Sequence, residues 1–118
     1  MNAKDELGRH GEQLAADYLQ RAGFRILSRN WRCAEGEIDI VAADRRVLVA
    51  VEVKTRSGTA FGTPLEAVTA KKRNRLRRLA VQWVVAHGVL FDEVRVDVVG
   101  VLKDEQGGYS LDHVRGVG

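Results

Sequence analysis

The chain reads as an α/β sandwich, a mixed central sheet flanked by helices, with the elements in the order α-β-β-β-α-β-β. Three observations lead there. Two amphipathic helical stretches, each stopped by a glycine, alternate with runs whose apolar residues recur at period two. The central pair of such runs is apolar on both faces, as in a sheet covered by helices on each side. At 118 residues the chain holds one core and is too short for two ordinary domains, so residues 1–118 form one unit.

The first helix spans Asp5 to Ala22, with Leu7, Leu14, Ala15, Tyr18 and Leu19 on one side and Gly23 as its stop. Phe24 to Trp31 reads as a first strand. Ile38, Ile40 and Ala42 alternate along a second strand and Val49, Val51 and Val53 along a third, with Asp44-Arg45-Arg46 as the polar turn. Ser57-Gly58-Thr59-Ala60-Phe61-Gly62 forms a loop. Thr63-Pro64-Leu65-Glu66 then opens the second helix with a capping box and a proline at its first position, and the helix runs to His87, where Gly88 ends it. Val94 to Val101 makes a fourth strand, Gly107-Gly108 a turn, and Tyr109 to Val114 a fifth strand.

The central hairpin carries the chemistry. Apolar positions must pair across the ladder, which sets Ile40 against Val51 and Ile38 against Val53. This holds whether Arg45-Arg46 is a two-residue loop or residues 44–47 a four-residue one. Asp39 then opposes Glu52, and Glu37 opposes Lys54. Two carboxylates facing each other between apolar faces repel and lose hydration, a cost that a cation or hydrogen bonds must offset. A plainer account is a hairpin end open to water, with Lys54 paired to Glu37 or Glu52.

Composition narrows the class. With 45% hydrophobic and 30% charged residues the chain is a folded protein and not a disordered one. No stretch reads as a membrane span, and Met1–Glu6 is polar where a secretory signal is apolar, so a cytoplasmic location is expected. A single cysteine, Cys33, excludes an internal disulfide and a zinc site built on cysteine. His10, His87 and His113 show no ligand spacing and read as surface or helix-end groups. Trp31 and Trp83 fall in core-like patterns, while Phe61 lies on the loop beside the acids. Asp97, among valines, either makes a buried polar contact or pairs with Arg95.

The net charge of +3 is modest, but its distribution is not. Lys71, Lys72, Arg73, Arg75, Arg77 and Arg78 place six basic residues in a run of eight, for which phosphates are a natural counterpart. The apolar stripe of this helix is Leu65, Val68, Leu76, Leu79 and Trp83, and Lys72 lies in its middle. Either its stem snorkels out of the core or its ammonium reaches the acids over the sheet. Arg73 and Arg77 point away from the stripe.

Gly11-Glu12, Arg29-Asn30-Trp31-Arg32-Cys33, Gly36-Glu37-Ile38-Asp39-Ile40-Val41-Ala42 and Val51-Glu52-Val53-Lys54-Thr55-Arg56 resemble the signature of the YraN family of bacterial proteins, across nearly the whole chain. By that resemblance the chain joins the PD-(D/E)xK nuclease superfamily, whose restriction endonuclease-like core is a three-layer sandwich. Asp39 takes the place of the motif's aspartate, Glu52 of its second acid and Lys54 of its lysine, while Ile38 stands where the motif's name has proline. Glu12 resembles the helix glutamate of archaeal Holliday junction resolvases. It either leans into the pocket or faces water.

The resemblance implies a Mg2+- or Mn2+-dependent endonuclease that hydrolyses phosphodiester bonds in DNA, with branched or non-B DNA as one class of substrate and RNA left open. Asp39, Glu52, the backbone carbonyl of Val53 and Glu12 supply the oxygen ligands such an ion prefers. Lys54 serves the attacking water or the developing charge on phosphorus. Arg56, Lys71, Lys72, Arg75 and Arg78 are the expected phosphate contacts. A homodimer is compatible with cutting two strands. The alternatives are a nucleic-acid-binding protein that keeps the fold without cleavage, and a module whose basic helix meets an acidic protein.

Overall fold

Leu14, Ala15, Tyr18 and Leu19 recur at helical spacing and give helix α1, Ala3–Arg21, one apolar side. Asp5 and Glu6 stand in its first turn, where the helix dipole favours carboxylates. Gly23 follows at φ 98°, a conformation that glycine adopts without strain. The structure, a computed structural model, describes residues 3–58 and 68–117, with side chains from Asp5 onward.

Five strands follow, interrupted by one more helix: β1 Arg25–Cys33, β2 Gly36–Asp44, β3 Val47–Ser57, helix α2 Ala70–His87, β4 Glu93–Lys103 and β5 Tyr109–Val114. They form one sheet in sequence order. The β1–β2, β2–β3 and β4–β5 ladders are antiparallel, and β3 runs parallel to β4. A parallel neighbour requires a crossover, and α2 lies in that connection. Period-two alternation sends Ala42, Val49, Val51, Val99 and Val101 to a core layer under α1, and Val41, Leu48, Ala50, Val96 and Val98 to a second layer under α2. The expected three-layer α/β sandwich with a mixed sheet is the observed architecture.

The hairpin keeps the register read from the sequence. Ile40 pairs with Val51, Ala42 with Val49 and Asp44 with Val47, leaving Arg45-Arg46 as a two-residue loop with Arg45 at φ 57°. One expectation fails beyond that point. The paired ladder stops at Ile40–Val51, so Asp39–Glu52 and Glu37–Lys54 are not cross-strand pairs. Ile38 packs in the layer under α2, whereas Ile40 packs under α1, so β2 turns over across Asp39. The Asp39 side chain supplies the reason: its Oδ2 accepts the Val53 N–H at 2.8 Å, a donor that a continuous ladder would spend on backbone. Neighbouring β1 is irregular too, with a register shift between Ile26 and Ser28 and Asn30 at φ 52°.

Helix α2 also starts later than its sequence implies. The Thr63–Glu66 capping box lies outside the described residues, but Val68 and Thr69 are not helical and the helix begins at Ala70. Thr69 is the N-cap, its Oγ1 accepting the Lys72 N–H at 3.1 Å. Gly88 closes the other end at φ 63°, its N–H donating to the Val84 carbonyl. Leu76, Leu79, Ala80 and Trp83 are buried as the stripe requires, and Trp83 Nε1 donates to Ser28 Oγ at 2.9 Å. Among the described residues no helix is long and apolar enough to cross a membrane.

Candidate active site

Where β2 and β3 part, an open pocket forms. It is lined by Asp39 from β2, by Glu52, Val53, Lys54 and Thr55 from β3, and by Asp5, Leu7, Gly8, Arg9 and Glu12 from α1. All five residues expected to catalyse or to hold a metal (Asp39, Glu52, Lys54, Val53 and Glu12) therefore share one cavity. A close approach of helix to strand makes this possible. A side chain on Gly11 would stand 2.0 Å from Thr55 Oγ1, so only a glycine lets α1 lie this near β3 and present Glu12 to the fork.

The acids load the pocket with charge they cannot disperse. Burial pushes the Asp39 carboxyl from 3.8 up to about 7, aided by the negative charge of Glu52 and then by Glu12 and Glu37, against the pull of the Val53 N–H. Burial likewise raises Glu12, while Arg29 and the Asn30 side chain pull it down and Glu37 and Glu52 push it further up. Glu12 Oε1 is buried without a hydrogen-bond partner. Of the three, Glu52 is the one that forms a direct ion pair. Lys72 reaches across from α2 and sets its Nζ 3.3 Å from Glu52 Oε1, which decides between the two paths open to that lysine.

An orphaned buried carboxylate oxygen, a carboxyl driven towards neutrality by burial and by its acidic neighbours, and a set of hard oxygen donors all fit a divalent cation. As the side chains lie, no three acid, histidine or cysteine groups among the described residues are gathered tightly enough to enclose one.

The phosphate contacts expected from the sequence fall elsewhere. Arg56, Lys71, Arg75 and Arg78 are exposed and outside the pocket lining. Arg75 lies over the β1–β2 turn, its side chain 3.8 Å from where a Gly36 Cβ would stand. Phe61 lies outside the described residues. Glu37 does not serve Lys54: it forms an ion pair with Arg32 on β1, the strand across the other ladder.

The family model described as "Uncharacterised protein family UPF0102" matches residues 11–101. The chain belongs to this family. The YraN resemblance read from the sequence names the same group. A UPF0102 protein of Beutenbergia cavernae is 52% identical over the full length of both chains, and one of an Arthrobacter species 56% identical, again over both full lengths. A third, from Streptomyces coelicolor, is 54% identical over 99% of this chain and 92% of its own. Among solved structures, the UPF0102 chain is similar to a Holliday junction resolvase of Archaeoglobus fulgidus, with 21% identity, a TM-score of 0.42 and coverage of 89% of this chain and 75% of that one.

Three features of this UPF0102 protein escaped the sequence, two at the pocket and one, His113, away from it. Arg9 lines the pocket one turn before Glu12, a helical neighbour that i, i+3 spacing makes visible once Glu12 is accepted. Asn30 touches Glu12 only because β1 is irregular there. His113 is not a surface group: its side chain is 5% exposed, with Nε2 2.8 Å from Asp97 Oδ2 and Nδ1 2.9 Å from Tyr18 Oη. Asp97 does both things the sequence left open, being fully buried and also bound by Arg95.

Proposed function

We propose that this protein is a Mg2+- or Mn2+-dependent endonuclease that hydrolyses phosphodiester bonds in DNA. One observation carries the reading: Asp39, half-buried at the strand fork, shares a pocket with Glu52, Glu12 and Lys54, where partial burial and the neighbouring acids push its carboxyl up to about 7. Asp39, Glu52, the Val53 carbonyl and Glu12 would hold the ion, which when bound lowers the pKa of its water and offsets charge on the scissile phosphate. The Val53 N–H fixes Asp39 Oδ2, and Asp39 Oδ1 would be the oxygen offered to the ion. Lys54 follows Glu52 by two positions on β3, so it shares that strand face and can orient the attacking water or steady charge on phosphorus. Arg56, Lys71, Lys72, Arg75 and Arg78 would track the polynucleotide backbone, giving binding that falls steeply with salt.

A preference for branched DNA rests on the motif likeness to junction resolvases alone. A homodimer would bring one such site to each strand of a duplex, and the cytoplasm is the expected location. A second reading, nucleic-acid binding without cleavage, is favoured by one fact: the acids are not already gathered around a common point.

The purified chain, incubated in Mg2+ or Mn2+ with linear, single-stranded, flapped and four-way-junction DNA beside a Glu52→Ala control, separates the two. Cleavage by the wild type alone establishes the nuclease and its substrate shape. Binding of the same DNA without cleavage at any metal concentration rejects it for the binding protein. Loss of cleavage with retained binding in Lys54→Ala would assign that lysine to the chemistry.

A further inference from the structure

Lys72 stands one turn before the buried Leu76 and two before Leu79 on α2, on the helix side turned to the sheet, where a half-buried charge is costly unless it has a specific partner. Its backbone is fixed by the Thr69 cap, and its stem delivers the ammonium to Glu52 from the α2 side of the sheet. The two side chains are 29% and 14% exposed, against 82% and 61% for the surface pair Arg46–Asp92, so water screens their attraction far less. Of the three acids at the fork, Asp39 spends one oxygen on a backbone N–H, Glu12 has one oxygen without a hydrogen-bond partner, and Glu52 is the one that Lys72 meets with its ammonium.

From this, and resting on the nuclease reading, we infer that Lys72 is the built-in counter-ion of the site: it neutralises Glu52 while the pocket lacks a divalent ion, and passes to a backbone phosphate of the polynucleotide when one binds. An ammonium is a point charge on a flexible four-carbon stem with a single contact to Glu52, so it can change partner by rotating side-chain bonds alone. A divalent ion that takes Glu52 must displace it, and Lys72 therefore weakens metal binding in the free protein. Released, it adds a phosphate contact that the metal-free protein lacks.

The test uses the full chain with Ca2+ or Mn2+ as the only ligand, titrated by calorimetry, for the wild type, Lys72→Gln, Lys72→Arg and Arg77→Gln. Lys72→Gln should bind either ion roughly fivefold more tightly than the wild type. Lys72→Arg, which keeps the charge, should stay near the wild type. Arg77→Gln removes the same charge from the exposed side of the helix and should change affinity by less than about twofold. With single-stranded DNA and Ca2+, the salt slope of Lys72→Gln should fall by about one, and in chelator it should match the wild type. Unchanged or weaker ion binding in Lys72→Gln overturns the inference while leaving the nuclease reading intact. No ion binding by either protein overturns both.

Discussion

Two aspartates on this sheet meet burial in opposite ways. Asp97 on β4 is wholly buried, yet Arg95, His113 and the Gly116 N–H all donate to it, and Arg95 in turn reaches Asp44 at 3.1 Å. Burial alone would raise its carboxyl, but those bonds outweigh it and hold Asp97 below the ordinary carboxylate range. Asp39 on β2 is less buried, accepts one backbone N–H, feels three further carboxylates, and is driven up to about 7. One acid is closed by the protein's own donors and the other is left short of positive charge. A protein that buries a carboxylate for structure surrounds it as at Asp97. The contrast is what the proposed metal site at the β2–β3 fork would require.

Removing the closed acid should do the most damage. Asp97→Ala leaves Arg95 and His113 without their shared partner, and a loss of about 3–5 kcal/mol is expected in urea unfolding. Because the folded value of Asp97 is depressed, the stability it gives is present above the ordinary value near 3.8 and is lost as pH falls through the folded one, so the variant and the wild type should converge in acid.

Next comes the contact that builds the open site. Gly11→Ala sets a methyl against Thr55, forcing α1 off β3 at a cost of about 1–3 kcal/mol, and Thr55→Ala in the same chain should recover part of it. Asp39→Asn should act the other way. The raised carboxyl stabilises the fold fully below about pH 4, and that contribution disappears as pH rises through about 7. In chelator at pH 8 the amide variant should therefore be more stable than the wild type by about 1–2 kcal/mol, allowing for solvent screening, with no difference near pH 4. A destabilised Asp39→Asn at pH 8 would remove the contrast between the two aspartates. The smallest effect belongs to the surface: Arg46→Ala, which breaks an exposed pair with Asp92, should shift stability by under about 0.5 kcal/mol.

Much of this was legible because period-two alternation leaves little freedom. With Val49, Val51 and Val53 needing apolar partners, only one hairpin register was open, and it brought Asp39 to the neighbourhood of Glu52. The turnover of β2 at Asp39 was not legible, since it follows from a side chain taking a backbone donor, an event that no hydrophobic pattern encodes. For helix α2 the sequence reads as a capping box at Thr63 with Glu66 three residues on, a pattern that Thr69 lacks because Lys72 stands at that position. Thr69 nonetheless caps the observed helix. His113 was misread because the partners that bury it, Tyr18 and Asp97, lie 95 and 16 residues away. Lys72 was half legible: its place in the apolar stripe demanded an explanation, and the fold supplied Glu52.

The outer strand β1 exposes Arg25, Arg29 and Arg32, shifts register between Ile26 and Ser28, and carries a left-handed residue at Asn30. An open sheet edge with unpaired amides is a template onto which another chain can add a strand. Here three like charges repel such a strand and the kinked backbone denies it a straight ladder. The left-handed backbone at Asn30, whose side chain bonds Glu12, also works against strand addition at this edge, and straightening β1 is expected to lower solubility.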